Sequence, residues 1–98
     1  MDKSSIYRQN KINDAVDKIK AIAHPIRLDI VDLLGKNKKM TVTEIYLKLN
    51  LEQAITSHHL GILRDKGILG SVRKGKNIYY IIKQENILKI IACLSESM

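Results

Sequence analysis

Residues 41–69 read TVTEIYLKLNLEQAITSHHLGILRDKGIL, and the order of the signals in this stretch decides the fold. Thr41 and Glu44 have capping-box spacing, so Thr41, or else Thr43, opens a short helix. Ile45, Leu47 and Leu49 carry that helix to Asn50-Leu51, where it ends. A longer helix is predicted from about Glu52 to Lys66, stopped by Gly67. At about 100° per residue, Ile55, Thr56, His59, Leu60, Ile62 and Leu63 share one inward face of it. Gln53, Ala54, Ser57, His58, Gly61 and Arg64 share the opposite face. Two helices joined by a tight turn, the second the longer, make a helix-turn-helix.

Outward toward the C-terminus the apolar period changes from about 3.6 to 2. Residues 68–73 and 77–82 read as two strands joined through Lys74-Gly75-Lys76, where Gly75 supplies the positive φ of a tight hairpin. Ile78, Tyr80 and Ile82 alternate with Tyr79 and Ile81 across the second strand. A last helix is predicted over about 84–94, with Ile87, Leu88, Ile90, Ile91 and Leu94.

Toward the N-terminus, Ile12, Ala15, Val16, Ile19, Ile22 and Ala23 give one apolar helical face over 11–23. His24-Pro25 breaks it, and Pro25 then opens a second helix. That helix is expected to end near Leu34 with Gly35 as its left-handed terminator, followed by a basic loop over 36–39. Met40 to Val42 has room for a very short strand. The predicted class is mainly α with a small β-hairpin, ordered α-α-(β)-α-α-β-β-α. A helix-turn-helix followed directly by a hairpin is the chain order of a winged helix.

The 98 residues make one domain, close to the lower size for an independent core. The net charge is +7 and the pI about 9.6, which suits a polyanionic partner. With one cysteine, Cys93, neither an internal disulfide nor a multi-cysteine metal site is available. Met1 to Asn10 holds no long apolar core and no apolar run approaches a membrane span, so a cytoplasmic location is expected, with no membrane partner.

Two features bear on function. A helix entering a major groove needs polar groups near its N-terminus that reach base edges. Gln53, Ser57 and His58 supply them, Gly61 permits close approach to the backbone, and Arg64 neutralises a phosphate. An amphipathic helix with a merely solvated face has the same pattern. The hairpin is the second feature: residues 67–84 contain no acid, while Arg73, Lys74 and Lys76 cluster at its tip beside Asn77. A basic tip can bond phosphates or lie along a minor groove, although edge-strand charge also serves to prevent aggregation.

AIAHPIRLDIVDLL (21–34), the 41–69 stretch and RKGKNIYYII (73–82) together resemble the ArsR family of bacterial repressors. The resemblance runs from about Ile19 to Ile82, and is most specific at His24-Pro25-x-Arg27-Leu28, Ser57-x-His59-Leu60-x-x-Leu63 and the wing ending at Tyr79-Tyr80. It implies a homodimer held by the first and last helices, bound to a two-fold-related duplex operator as a repressor. By position it places Gln53, Ala54, Ser57 and His58 in the groove and Lys74 and Lys76 on the wing. Glu52 departs from the pattern where an N-cap residue such as Ser is common, and Thr56 departs at an inward site that is usually aliphatic.

The aliphatic surplus independently favours pairing: Ile12, Val16 and Ile19 on the first helix, with Ile87, Ile90, Ile91 and Leu94 on the last, are expected to meet across two copies. Intramolecular packing of the last helix is the alternative. Metal-sensing members carry cysteines in the third helix or Asp and His in the last; residues 41–49 hold no Cys, His or Asp, and the last helix offers Glu85 and Cys93. No metal or other cofactor is expected. His24 reads as a cap and His59 as a packed side chain bonded to backbone. Cys93 reads as a small semi-buried hydrophobe, a one-thiol redox switch being the alternative. Ser57 and His58 diverge as helix neighbours, and no phosphate loop or carboxylate pair is present, so the chain is not expected to be an enzyme. The rival function is a winged-helix protein–protein module or antirepressor without its own operator. RNA binding would call for more exposed aromatics than Tyr79. An unknown effector or protein partner is compatible with all of this.

Overall fold

His24 begins the tertiary logic of the chain. It is extended (φ −140°, ψ 131°), as a residue before proline must be, and its Nδ1 accepts a hydrogen bond from the Ile26 N–H at 3.2 Å. This cap separates α1 (Lys3–Ile22) from α2 (Pro25–Asn37). The structure, a computed structural model, describes residues 3–97, apart from the side chains of 3–5, 7 and 94–97. The first helix thus starts well before residue 11, on a polar stretch whose helical course the apolar period does not mark.

The second helix overruns its predicted end. Gly35 lies inside α2, and the turn comes at Lys38, which takes φ 65° and returns its N–H to the Leu34 carbonyl at 2.9 Å. Gly35 serves packing instead of termination: a Cβ there would lie 2.5 Å from a Leu88 methyl. The glycine lets the last helix seat on the second. Residues 36 and 37 are therefore helical, and the expected basic loop shrinks to Lys38.

Strand β1 (Lys39–Thr41) leads into α3 (Val42–Leu49). Thr41 Oγ1 accepts from the Glu44 N–H at 3.2 Å, and the Glu44 carboxylate accepts from the Thr41 N–H at 3.0 Å, closing the capping box. Those bonds hold the Glu44 carboxyl below the usual carboxylate range. Asn50 turns left-handed at φ 55°, and Leu51 N–H reaches the Tyr46 carbonyl at 2.9 Å. The chain then enters α4 (Gln53–Asp65) with no side-chain cap from Glu52, as the acid at that site implied.

Strands β2 (Leu69–Lys74) and β3 (Asn77–Ile82) form the hairpin, and β1 pairs with β3 to give an antiparallel sheet in the order β1-β3-β2. Its register sets Met40 and Ser71 opposite Tyr80, and Leu69 opposite Ile82. Tyr80 and Ile82 pack on the core, while Ile78 on the same face lies beyond it and is exposed. Helix α5 (Asn86–Ser97) closes the chain. The core joins Ile22, Ile30, Val31, Leu34, Ile45, Leu60, Leu63, Ile68 and Leu69, giving a mainly helical winged helix-turn-helix.

Of the two terminal helices, the last differs from the paired reading. Ile12, Val16 and Ile19 are exposed along α1. Ile87 and Ile91, expected at an interface between copies, are instead 3% and 6% exposed in the chain's own core. The short α5 lies against α2 and spends those two side chains there; Ile90 is half-buried at the edge. The Leu94 side chain lies outside the described residues. Among the described residues no helix is long and apolar enough to cross a membrane.

Candidate nucleic-acid interface

Helix α4 divides sharply into two faces. Thr56, His59, Leu60 and Leu63 are buried, and Gln53, Ala54, Ser57, His58 and Arg64 are exposed. Ile55, expected inward, stands 40% exposed at the open start of the helix, and Ile62 is half-buried. Gly61 is half-buried, and a Cβ on it would meet nothing within 4 Å. The chain's own packing therefore does not demand glycine there.

The two polar residues of the buried face are both satisfied. Thr56 Oγ1 donates to the Glu52 carbonyl at 2.9 Å, which explains how a hydroxyl replaces an aliphatic side chain at that depth. His59 is bonded differently from the backbone contact expected of it. Its Nδ1 accepts from Arg27 Nε at 3.2 Å, and the same guanidinium donates from Nη1 to the Ala21 carbonyl at 2.9 Å. Burial, followed by the charges of His24, Arg27 and His58, holds the His59 imidazole below the usual histidine range.

The wing projects beyond its sheet. β1 reaches only as far as Tyr79, so the segment from Arg73 to Ile78 is a two-stranded finger. Gly75 takes φ 62° in the first central position of the turn, with Lys76 second. Arg73, Lys74, Lys76 and Asn77 are all exposed. Lys74 pairs across from Asn77 and Arg73 from Ile78, so the two successive cations leave the ribbon on opposite faces.

One cation was missed as a site residue by reading along the chain. Lys39 comes to the wing through the β1–β3 pairing, its Nζ 5.3 Å from the Tyr79 ring centroid, a cation–π distance. A hydrogen bond with Lys39 and repulsion by its charge hold the Lys74 ammonium below the usual lysine range. The short-strand signal at Met40 to Val42 was the one local hint, since the partner strand lies far along the chain. Among the described residues, no group of three His, Cys, Asp or Glu side chains is placed to hold a metal ion.

The pattern of bacterial regulatory proteins of the arsR family matches residues 24–71. Over a longer stretch, the chain is 41% identical over 83 residues to the transcriptional repressor PagR of Bacillus anthracis, covering 82% of this chain and 83% of PagR. This chain belongs to the ArsR family. It is a helix-turn-helix transcriptional regulator and not an enzyme.

Solved structures agree with the assignment. The PagR crystal structure superposes with a TM-score of 0.82 at 38% identity, covering 88% of this chain and 98% of PagR. NolR from Sinorhizobium fredii gives 0.80 at 32% identity, with 98% and 95% covered. The homodimeric winged helix-turn-helix DNA-binding domain of a possible ArsR-family regulator from Mycobacterium bovis gives 0.84 at 25% identity, covering 99% and 89%. Within the ArsR frame, α3 and α4 are the helix-turn-helix of this chain and the β2–β3 hairpin is its wing.

Proposed function

We propose that this ArsR-family regulator is a homodimeric, cytoplasmic repressor that binds a two-fold-related site in double-stranded DNA. One observation carries the reading: an exposed polar face on α4, running from Gln53 to Arg64, beside a wing whose tip is cationic and free of acids. Gln53, Ala54, Ser57 and His58 enter the major groove, Gln53 being suited to a bidentate adenine contact. Gly61 and Arg64 follow the backbone. Arg73, Lys74, Lys76 and Asn77 engage phosphates or the minor groove, with Lys39 as a further cation. Two copies meet through Ile12, Val16 and Ile19 of α1, with Ile90 at the rim. Its effector or protein partner is open, and PagR, named as a repressor, supports the direction of control.

Selection of sheared genomic DNA on the purified protein tests this. The expected outcome is enrichment of a palindromic duplex whose binding weakens steeply with salt. Lys76→Ala should weaken every duplex alike and reduce the salt slope by about 1, whereas Gln53→Ala should alter preference at one base position. Recovery of no enriched duplex would favour the protein–protein module instead.

A further inference from the structure

The recognition helix is tied to the rest of the chain by two imidazoles and one guanidinium. His59, 8% exposed, presents Nδ1 to Arg27 Nε at 3.2 Å. Arg27 spans onward to the Ala21 carbonyl in the last turn of α1. The His24 ring lies 4.7 Å from that of His59, and its own Nδ1 is occupied by the Ile26 N–H as the cap of α2. Three helices, α1, α2 and α4, therefore meet at this one cluster.

Each of these bonds needs a bare Nδ1. A ring nitrogen that accepts cannot carry a proton, so these bonds require each ring to hold its proton on Nε2. Protonation of His59 would set two donors face to face, Arg27 Nε–H against Nδ1–H, in a part-buried site. Protonation of His24 would remove the α2 cap. Among the described residues, the charged and titratable groups acting on His59 are His24 and Arg27 from the start of α2 and His58 from α4 itself. α1 contributes the Ala21 carbonyl to Arg27, while α3 and β2, also packed on α4, add no charged group that acts on the ring.

We propose that Arg27, His59 and His24 form a proton-sensitive joint that positions the recognition helix, so that acid loosens DNA reading before the domain unfolds. The proposal rests on the DNA-binding reading above. Its sign follows from the environment: folding favours neutral His59, so the folded chain binds fewer protons than the unfolded one. The stabilisation is complete above about pH 6.5, the ordinary histidine value, and is lost as the pH falls through the lower folded value. Protonation of His58, exposed on the opposite face, would add a positive charge that strengthens binding to DNA. Protonation of the two adjacent histidines of α4 thus acts on DNA binding in opposite senses.

Two measurements test the joint. Imidazole nitrogen NMR of the intact protein from pH 8 to 5 needs no DNA. His24 and His59 should show the Nε2–H form at pH 8, and protonation of His59 should move the amides of residues 21–26 and of α4 together. Titration of His59 in the ordinary range with α4 amides unmoved would overturn the proposal. The second measurement is fluorescence anisotropy on the duplex enriched by the selection, using His58→Gln protein to remove the opposing charge. Affinity should fall about tenfold from pH 7.5 to 5.5, the scale of one part-buried hydrogen bond and its unmet donors. Adding His59→Asn, which keeps an acceptor near the place of Nδ1 without a titrating ring, should abolish that fall; an equally steep fall would refute the joint. If no duplex is enriched, the DNA-binding reading fails, and the NMR experiment still judges the joint by itself.

Discussion

Helices α1 and α5 carry similar aliphatic stripes and use them in opposite ways. On α1, Ile12, Val16 and Ile19 recur at four and three residues and remain 62%, 40% and 41% exposed. On α5, Ile87 and Ile91 recur at four residues and are buried against the chain's own core. A stripe says that a helix must be covered; it does not say by what. Here α5 has a seat within the chain, made by Gly35 on α2, whereas the exposed part of α1 extends past the body that its C-terminal turn joins. Among the described residues of α1, Ala21 and Ile22, in that turn, are the ones that enter the core. The contrast assigns the closed stripe to folding and leaves the open one for the second copy proposed above.

The largest expected effect lies on α5. Ile91→Ala should cost about 2–5 kcal/mol of unfolding free energy by opening a cavity, read by urea denaturation as a shift in midpoint. A loss near zero would mean that α5 is not part of the core. On α1, Ile12→Asp combined with Val16→Asp should raise the dimer dissociation constant at least tenfold, since two charges would be buried against an apolar partner surface. Sedimentation would read this, and an unchanged dimer would move the interface elsewhere. The smallest effect sharpens the seat of α5. Gly35→Ala should be nearly neutral alone, because a helix-propensity gain of about 1 kcal/mol is offset by displacing Leu88. In a Leu88→Ala background the same change should stabilise by about 1 kcal/mol; equal effects in both backgrounds would remove Gly35 from the contact.

Much of the site was legible because it is local. The exposed and buried faces of α4 follow from helical period, the capping box at Thr41 from a three-residue spacing, and the wing turn from Gly75. His24 was readable as a cap because a residue before proline is extended and offers its side chain to the next helix. Ile55 was not readable as exposed, since period alone cannot tell how far the neighbouring α3 extends over it. The partner of His59 was equally hidden: Arg27 lies 32 residues away, and a buried imidazole can be satisfied by backbone or by side chain.

The amino-acid sequence by itself determined the order of elements, the polar face of α4 from Gln53 to Arg64, the cationic wing and the family to which they belong. Backbone sterics and side-chain period act within a few residues, so these features need no tertiary context. Only the tertiary structure decided that Gly35 continues a helix, that Lys39 joins Lys74 and Tyr79, that Arg27 holds His59, and that α5 is core while α1 stays open. Each of those depends on which distant segments close upon one another, and a stripe, a glycine or a buried histidine admits more than one such partner until the chain has folded.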